Sequence, residues 1–240
     1  MKLWNELRKL RPQKIRNAIR RRWFERRLER TALTPAPGVM HLGSAYGGWM
    51  IPTGLLERSW LCYSVGAGGD ISFDLELIAR YGARVRAFDP VADYVDAALK
   101  QADGEPLFSV HQAAIATQDG PLRVQVTHDH SSRSVSAAGL YESDVFLELP
   151  GRTLRSLMDE LGDPQIDLLK LDVEGAEYEV MPTLDLRALG VKVFAIQLHH
   201  TGSVRAARAL IARLREQGYE PVGCKPAVKL TFARTDLLAR

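Results

Sequence analysis

From about residue 60 onward, short apolar runs alternate with segments whose apolar residues recur at helical spacing. The first run, 60–65, leads into a glycine-rich turn and then into a helical segment that begins near Ile71 and ends at Gly82. The remaining predicted strands of this alternation are 84–88, 106–114, 166–172 and 192–198, and the remaining predicted helices are 91–102, 153–161, 176–189 and 204–217. Such alternation predicts an α/β fold: a doubly wound, mostly parallel sheet with helices on both faces.

Two regions depart from this alternation. Extra strands are predicted at 122–127 and 145–149 around a polar loop, 128–136, and two final strands are predicted near 219–234. The loop contains the sequence His128-Asp129-His130, which resembles part of a metal site. No further ligands can be identified for it, so no metal is predicted.

Positive charge is concentrated at the N-terminus. Residues 1–30 contain twelve Lys or Arg and three Glu, whereas acidic residues outnumber basic ones in the rest of a chain whose net charge is +3. This division predicts a basic amphipathic helical segment, 1–33, followed by a single domain, 34–240, with Thr34–Gly38 as the linker. Because the domain itself is acidic, no nucleic-acid partner is expected.

The basic segment has leucines on one face over 2–10, and a second stretch has apolar residues at helical spacing, namely Ile15, Ala18, Ile19 and Trp23. A basic helix that carries tryptophans suits an anionic membrane surface. A helix packed on the domain or on a partner chain, and a mitochondrial transit peptide, are the alternatives. No apolar run is long enough to span a bilayer, and no signal-type segment follows the start. The expected location is therefore cytoplasmic, with peripheral contact at the inner face of the membrane.

The turn after the first predicted strand reads Gly66-Ala67-Gly68-Gly69-Asp70. In a doubly wound sheet the ligand binds at the carboxyl ends of the strands, where glycines allow it to approach the main chain. The dinucleotide fingerprint requires glycine where this chain has Ile71, which disfavours NAD. The zwitterionic end of S-adenosylmethionine (SAM) requires close backbone groups instead, so Gly66, Ala67 and Gly68 are predicted to bind it. Asp70 is a candidate for the ammonium group of SAM, or for the N-cap of the next helix.

A carboxylate ends the second predicted strand. Asp89 follows Gly68 by 21 residues and precedes Pro90. At this position it can accept hydrogen bonds from both ribose hydroxyls of an adenosine ligand. The alternative is a turn aspartate, which is common before proline.

A third motif follows the strand 166–172 and reads Asp172-Val173-Glu174-Gly175-Ala176-Glu177. Together with the glycine turn and with Phe88-Asp89-Pro90, it resembles the FkbM family of SAM-dependent methyltransferases over roughly residues 40–235. The resemblance implies a class I methyltransferase (Rossmann-like) fold, SAM as methyl donor and usually a hydroxyl oxygen as acceptor. One departure is the turn, where many members have Gly-Ala-Asn and this chain has Gly-Ala-Gly-Gly-Asp.

Four residues at the predicted ligand edge are candidates for catalysis. Asp172 and Glu174 follow one strand, and His199 and His200 end another. A carboxylate such as Asp172 can bind the cofactor's ammonium or sulfonium group or accept the acceptor's proton, and a histidine can act as a general base. The structural alternative for the two acids, and for Glu177, is a place in the first turn of a helix, where negative charge offsets the helix dipole. The structural alternative for the two histidines is that they simply form a polar strand end.

Together with these patterns, the resemblance implies a SAM-dependent O-methyltransferase that acts on a hydroxyl of a sugar-containing or secondary-metabolite acceptor, either a small molecule or a glycan. The resemblance also assigns Ala114 and Ile115 to the adenine of SAM, because class I methyltransferases contact adenine at the end of the third strand. Two alternatives remain: a non-catalytic adenosine-binding or membrane-recruited scaffold, and an NAD-dependent oxidoreductase.

Overall fold

The computed structural model describes residues 12–126, 135–136, 145–225 and 228–238. The helices in these ranges are α1 (Pro12–Leu28), α2 (Ser72–Tyr81), α3 (Ala92–Ala102), α4 (Leu154–Leu161), α5 (Glu177–Val180), α6 (Val204–Glu216) and α7 (Thr235–Leu238). The strands are β1 (Val39–Leu42), β2 (Trp49–Pro52), β3 (Leu61–Val65), β4 (Arg84–Asp89), β5 (Phe108–Gln112), β6 (Ala114–Ile115), β7 (Gly120–Val126), β8 (Val135–Ser136), β9 (Phe146–Arg152), β10 (Leu168–Leu171), β11 (Val193–Gln197), β12 (Tyr219–Cys224) and β13 (Lys229–Arg234). None of the described helices is long and apolar enough to cross a membrane.

A seven-stranded sheet forms the centre of the fold, in the order β12-β13-β11-β10-β3-β4-β5. Each pairing from β11 to β5 is parallel, and β13 runs antiparallel to both of its neighbours. This arrangement confirms the predicted α/β class with a mostly parallel sheet. The chain order reverses between β3 and β10, and such a reversal is where an open α/β sheet binds its ligand.

The central strands are apolar on both sides because helices cover both faces of the sheet. All four residues of β10 are buried, and they pair with Cys62–Val65 on one side and Val193–Ile196 on the other. Lys170 is the single charged residue within this strand, so its amino group must find polar partners inside the protein.

Local sequence signals set several helix ends. Gly82 adopts the left-handed conformation that terminates α2, as the sequence predicts. The side chain of Thr153 accepts a hydrogen bond from the Ser156 backbone N–H at the start of α4, and Ser203 caps α6 in the same way. These caps explain why the predicted and observed bounds of these helices differ by only a few residues.

Two predicted elements are wrong in extent. The segment 176–189 is not one helix, because α5 ends at Val180 and a 3-10 turn with Pro182 at its start follows it. A proline inside a helix lacks the N–H that the ladder requires, so the helix stops there. The predicted strand 106–114 is two strands, since the chain leaves the central sheet after Gln112 and enters a second sheet at Ala114.

The second sheet contains the predicted extra strands in the order β6-β9-β7-β8, and β1 and β2 form a separate hairpin. The edge strand of the second sheet, β6, pairs with β9, so the chain passes directly from β5 of the central sheet into this smaller sheet. Most of the predicted polar loop 128–136 lies outside the described residues, including the His128-Asp129-His130 sequence.

Helix α1 is anchored to the domain through one side. Phe24 and Leu28 are buried and belong to the same hydrophobic cluster as the central strands. The predicted apolar face lies elsewhere on the helix, because Ile19 is 65% exposed and Trp23 is 52% exposed. The buried pair lies one helical turn apart, which is the spacing of a packed face. The side chains of residues 1–18 lie outside the described part of the chain.

A polar cluster holds the amino-terminal side of the central sheet. The carboxylate of Asp163, which follows α4, accepts hydrogen bonds from Arg86 Nη2 at 2.8 Å and from the Tyr63 hydroxyl at 2.6 Å. Arg86 Nε also lies 2.6 Å from the second carboxylate oxygen, so the guanidinium approaches both oxygens of the carboxylate. This cluster therefore links α4 to two adjacent strands.

We expect Asp163→Asn to lower the free energy of unfolding by about 1–3 kcal/mol, because charge-assisted hydrogen bonds are lost where water has little access. Asp236→Asn is the matched control. Asp236 also forms a two-point pair with Arg234, but its side chain is 49% exposed, so its loss should cost about 0–1 kcal/mol. Urea denaturation of both variants measures the difference, and equal losses would contradict the structural role of Asp163.

Candidate active site

A cleft of about 800 Å³ opens at the carboxyl ends of the central strands, across the point where the strand order reverses. Its walls contain all the site residues predicted from the sequence: Gly66, Ala67, Gly68, Asp70, Asp89, Ala114, Ile115, Asp172, Glu174, His199 and His200. A volume of this size is within the range of about 300–1,000 Å³ that small-molecule sites occupy. The tertiary structure thus brings together residues at or just beyond the ends of β3, β4, β10 and β11, together with strand β6.

The glycine turn packs directly against the end of β10. The backbone N–H of Gly66 donates to Phe88 O at 2.8 Å, and the N–H of Asp172 donates to Val65 O at 3.1 Å. Gly66 has a φ of +78°, and a Cβ at this position would collide with the backbone oxygen of Asp172. Only glycine satisfies both conditions, so this residue sets how closely the two strand ends approach.

Asp89 is fixed at the end of β4 by main-chain donors. Its Oδ2 accepts from Gly68 N at 2.8 Å, and its Oδ1 accepts from Val91 N at 2.9 Å. Burial raises the pKa of Asp89, and these hydrogen bonds oppose that increase. The carboxylate is therefore held in one orientation beside the glycine turn, which is the position predicted for a ribose contact.

Asp70 connects the glycine turn to the β1–β2 hairpin. Its carboxylate accepts hydrogen bonds from the Ser44 hydroxyl and from Ser72 N, the latter at 2.9 Å. Partial burial acts to raise the pKa of Asp70, but these hydrogen bonds outweigh it and hold the pKa below its usual range. Asp70 therefore holds the hairpin loop over one end of the cleft. A contact between Asp70 and the ammonium group of a cofactor stays a prediction.

The β1–β2 hairpin contributes one buried and one exposed aromatic residue to the cleft wall. Trp49 is fully buried, with the Lys229 amino group 4.8 Å from its ring centroid, whereas Tyr46 is 85% exposed. Lys229 Nζ also donates to the backbone oxygen of Tyr46 at 2.9 Å, which ties the loop to β13. Packing accounts for Trp49, and Tyr46 remains available at the mouth of the cleft.

Two buried charged residues, Lys170 and Asp74, also lie in the cleft wall. Lys170 Nζ donates to Gly66 O at 2.6 Å and so ties β10 to the glycine turn. Asp74, in the first turn of α2, is buried, and burial raises its pKa while the charge of Lys170 opposes the increase. No described residue donates a hydrogen bond to its Oδ1. In the sequence Asp74 resembles any acid near a helix start, so no signal distinguishes it.

The ends of β10 and β11 bring carboxylates around one imidazole. His199 Nε2 lies 3.5 Å from Glu174 Oε2 and 3.8 Å from Asp172 Oδ1, and its Nδ1 lies 3.3 Å from Glu177 Oε1. The fully buried Glu177 also accepts the His199 backbone N–H and, at 2.9 Å, the Gly175 N–H. Glu177 is therefore the residue that fixes His199 in place.

The neighbouring carboxylates dominate the electrostatics of His199. Burial acts to lower its pKa, but the hydrogen bond to Glu177 and the negative charges of Glu177, Asp172 and Glu174 together raise the pKa to about 9. The pKa of His200 is lowered instead, by burial and by the nearby charge of Arg20. Both histidines line the cleft, His199 on the side of Asp172 and His200 on the side of α1.

The parallel sheet, the reversal of strand order and the glycine turn opposite two acidic strand ends match the Rossmann-like fold of class I methyltransferases. The profile of the Methyltransferase FkbM domain matches residues 64–221. The chain therefore belongs to the FkbM methyltransferase family, and SAM is the cofactor that this membership implies. Both conclusions confirm the resemblance found in the sequence.

One curated relative is the human protein named "Probable methyltransferase-like protein 24", which is 29% identical over 147 residues, or 58% of this chain. The chain spans about a third of that relative's length, since the match covers 33% of it. Among solved structures, the Methanococcus jannaschii fibrillarin pre-rRNA processing protein is 12% identical, with a TM-score of 0.45, over 79% of this chain and 71% of its own. M. capricolum TrmK, solved with S-adenosyl-homocysteine, is 10% identical, with a TM-score of 0.43, over 75% of this chain and 63% of its own. TM-scores below 0.5 do not bear on the chemistry of this chain.

We expect Gly66→Ala to weaken SAM binding about tenfold or more, because both strand ends must shift to make room for the methyl group. Gly104→Ala is the matched control, since Gly104 has the same φ of +78° but open space around it. The control should lose only the cost of left-handed backbone, about 1–2 kcal/mol of unfolding free energy, and should keep its affinity for SAM. Calorimetric titration with SAM and urea denaturation separate the two effects. Equal SAM affinities would show that the turn does not shape the cofactor site.

Proposed function

We propose that the protein transfers the methyl group of SAM to a hydroxyl oxygen of a sugar-containing or secondary-metabolite acceptor. The observation that carries this proposal is the carboxylate of Asp172, whose buried Oδ1 accepts no hydrogen bond from any described residue and lies in the wall of the cleft. The deprotonation of a hydroxyl group requires a carboxylate oxygen beside the cofactor site that accepts no other hydrogen bond.

The cofactor's orientation follows from the two sides of the strand reversal. Asp89 and the glycine turn on the β3–β4 side suit the adenosine half of SAM, with Ala114 and Ile115 beside the adenine. Asp172 lies across the reversal, on the β10 side, where the sulfonium end of the same molecule would extend. The methyl group then points into the remaining volume of the cleft.

The reaction requires an attacking oxygen, the methyl carbon and the sulfur to lie in line. The oxygen forms a bond to the methyl carbon as the carbon–sulfur bond breaks, and the electron pair of that bond returns to sulfur, which leaves neutral S-adenosylhomocysteine. The hydroxyl proton passes to Asp172. We assign this role to Asp172 rather than to His199 because both ring nitrogens of His199 have side-chain neighbours, Glu177 and Gln197.

The rest of the cleft wall is suited to an acceptor with both polar and apolar parts. Tyr46 lies exposed at the mouth, and Leu122, Val124 and Val228 provide apolar surface. An aromatic face beside aliphatic walls suits a sugar ring attached to an apolar group. The glycan and secondary-metabolite classes both contain such molecules.

We expect Asp172→Asn to lower kcat by about 10²–10⁴-fold, because the amide cannot accept the proton, and to change the Kd for SAM much less. Asp103→Asn is the control, since Asp103 is exposed, is not among the residues that line the cleft, and has a left-handed backbone that asparagine tolerates. Methyl transfer from labelled SAM to a panel of hydroxyl-bearing glycosides provides the rate.

Calorimetry with SAM, S-adenosylhomocysteine and NAD tests the alternatives. Tight binding of NAD in place of SAM would point to an oxidoreductase. Binding of SAM with no transfer to any hydroxyl-bearing acceptor would point to a scaffold that senses the cofactor. Transfer that is unaffected by Asp172→Asn would contradict the role of that carboxylate.

We also propose that α1 contacts an anionic membrane at the cytoplasmic face and so brings the cleft to a lipid-linked acceptor. The exposed side of the helix combines Ile19 and Trp23 with several arginines, and the Arg27 guanidinium lies 5.0 Å from the centroid of the Trp23 ring. The opposite side, through Phe24, lines the cleft. A membrane bound to α1 would therefore lie beside the entrance of the site.

We expect Ile19→Ser combined with Trp23→Ser to weaken binding to anionic liposomes by about tenfold or more, since partial burial of two apolar side chains contributes on the order of 2 kcal/mol. Leu99→Ser is the control, because Leu99 is equally exposed, at 53%, but lies on α3. Cosedimentation with vesicles that contain phosphatidylserine gives the affinities, while SAM titration checks that the cofactor site is intact. Unchanged binding of the double variant would rule out this contact.

A further inference from the structure

We propose that Asp172, Glu174 and His199 bind a divalent metal ion of the Mn²⁺ type. One carboxylate oxygen from each acid and one imidazole nitrogen all lie within 4.8 Å of one another. Carboxylate and imidazole together form a donor set that suits first-row divalent ions. The site lies within the cleft already described, but nothing in the proposed methyl transfer requires a metal.

The distances fit a bridging ion better than direct contacts. His199 Nε2 is 3.5 Å from Glu174 Oε2 and 3.8 Å from Asp172 Oδ1, which is longer than a hydrogen bond in both cases. An ion about 2.1 Å from each ligand in octahedral geometry separates the ligand atoms by about 3–4.2 Å. Both observed distances fall within that interval.

An unpartnered buried atom points to the same place. Asp172 Oδ1 is buried and accepts no hydrogen bond from any residue in the described ranges. A buried carboxylate oxygen without a partner is unfavourable, so a ligand is expected to satisfy it. The amino groups of Lys170 and Lys229, which also line the cleft, donate to the backbone oxygens of Gly66 and Tyr46.

Glu177 supplies the outer support that such a site requires. Its Oε1 lies 3.3 Å from His199 Nδ1, and its Oε2 accepts the Gly175 N–H. In the tautomer with its proton on Nδ1 beside Glu177, His199 presents the lone pair of Nε2 to the cluster, and a metal ion that binds there displaces the second proton of the imidazolium. A carboxylate behind a histidine is the usual second layer of a metal site.

One group must move for the ion to bind. The side-chain amide nitrogen of Gln197 lies 3.0 Å from His199 Nε2. Gln197 is partly exposed at the end of β11, so its side chain can rotate away into the cleft. With Gln197 in its present position, the site has the conformation that precedes metal binding.

A metal at this position would give the proposed methyl transfer a second way to activate the hydroxyl. Three protein ligands leave open coordination positions, and an acceptor oxygen bound at one of them becomes more acidic. Asp172 is then a ligand, and the hydroxyl proton passes to solvent water. Only this consequence depends on the proposed function, because metal binding itself can be measured without an acceptor.

The test is a titration of the untagged 240-residue chain, stripped with EDTA, with MnCl₂ alone. Electron paramagnetic resonance measures free Mn²⁺, and calorimetry gives the Kd. We expect one ion per chain and a loss of affinity of about 10–100-fold or more in Glu174→Gln and in His199→Asn. Glu179→Gln removes the same charge two residues beyond Glu177 from an exposed position, and it should bind within about twofold of wild type.

Three results would overturn the inference: no Mn²⁺ binding to protein that still binds SAM, equal affinities in wild type and in both ligand variants, or displacement of Mn²⁺ by SAM. The last would show that the ammonium group of SAM occupies the cluster. Circular dichroism confirms that each variant is folded. SAM binding and methyl transfer in the presence of EDTA, measured on the same samples, show separately whether the proposed function holds.

Discussion

The parallel pairing of β3 with β10 is the constraint on which the rest of the site depends. These strands are adjacent in the sheet although more than a hundred residues separate Cys62 from its partner Leu168. After β3 the chain continues toward β4, and after β10 it continues toward β11 in the opposite direction across the sheet. The segments that follow these two strands therefore diverge and leave a cleft between them. The pairing continues past the strands through the hydrogen bond from Asp172 N to Val65 O. Gly66, which lacks a side chain, lets the two ends remain in contact.

The electrostatics of the cleft complement the charge of its cofactor. Carboxylates line it from several elements, and the amino groups of Lys170 and Lys229 are directed to main-chain oxygens. A cleft with an excess of negative charge favours a sulfonium ion over the neutral thioether that remains after transfer. The carboxylates of Glu177, Asp172 and Glu174 also raise the pKa of His199 to about 9.

Helix α1 connects the cleft with the exterior of the molecule. Phe24 and Leu28 bind it to the core, and Phe24 also faces the cleft, so the helix forms part of the site rather than a detached tail. Ile19 and Trp23 remain on the outer side among arginines. A surface that approached this helix would therefore be only one helix diameter from the cleft, roughly 10 Å.

The sequence alone determined the class of fold and the positions of the strand ends. Alternating apolar runs and helical periodicity predict the parallel sheet, and the glycine turn, Asp89 and Asp172 each follow a run, so their meeting at one edge could be inferred. Local chemistry also determined helix ends such as Gly82, because the left-handed conformation strongly favours glycine. A second local rule, that proline lacks the N–H which the helix interior requires, was available at Pro182, yet periodicity suggested a longer helix than this residue permits.

Only the tertiary structure decided which side chains meet. Glu177 and His199 are 22 residues apart, and their contact exists because β10 and β11 pair in one register. Likewise the burial of Phe24, in preference to Trp23, depends on which face of α1 the domain covers. Sequence patterns report the local period of the backbone, whereas contacts between distant residues depend on register and packing. Those are properties of the assembled sheet, and for this reason no spacing in the chain predicts them.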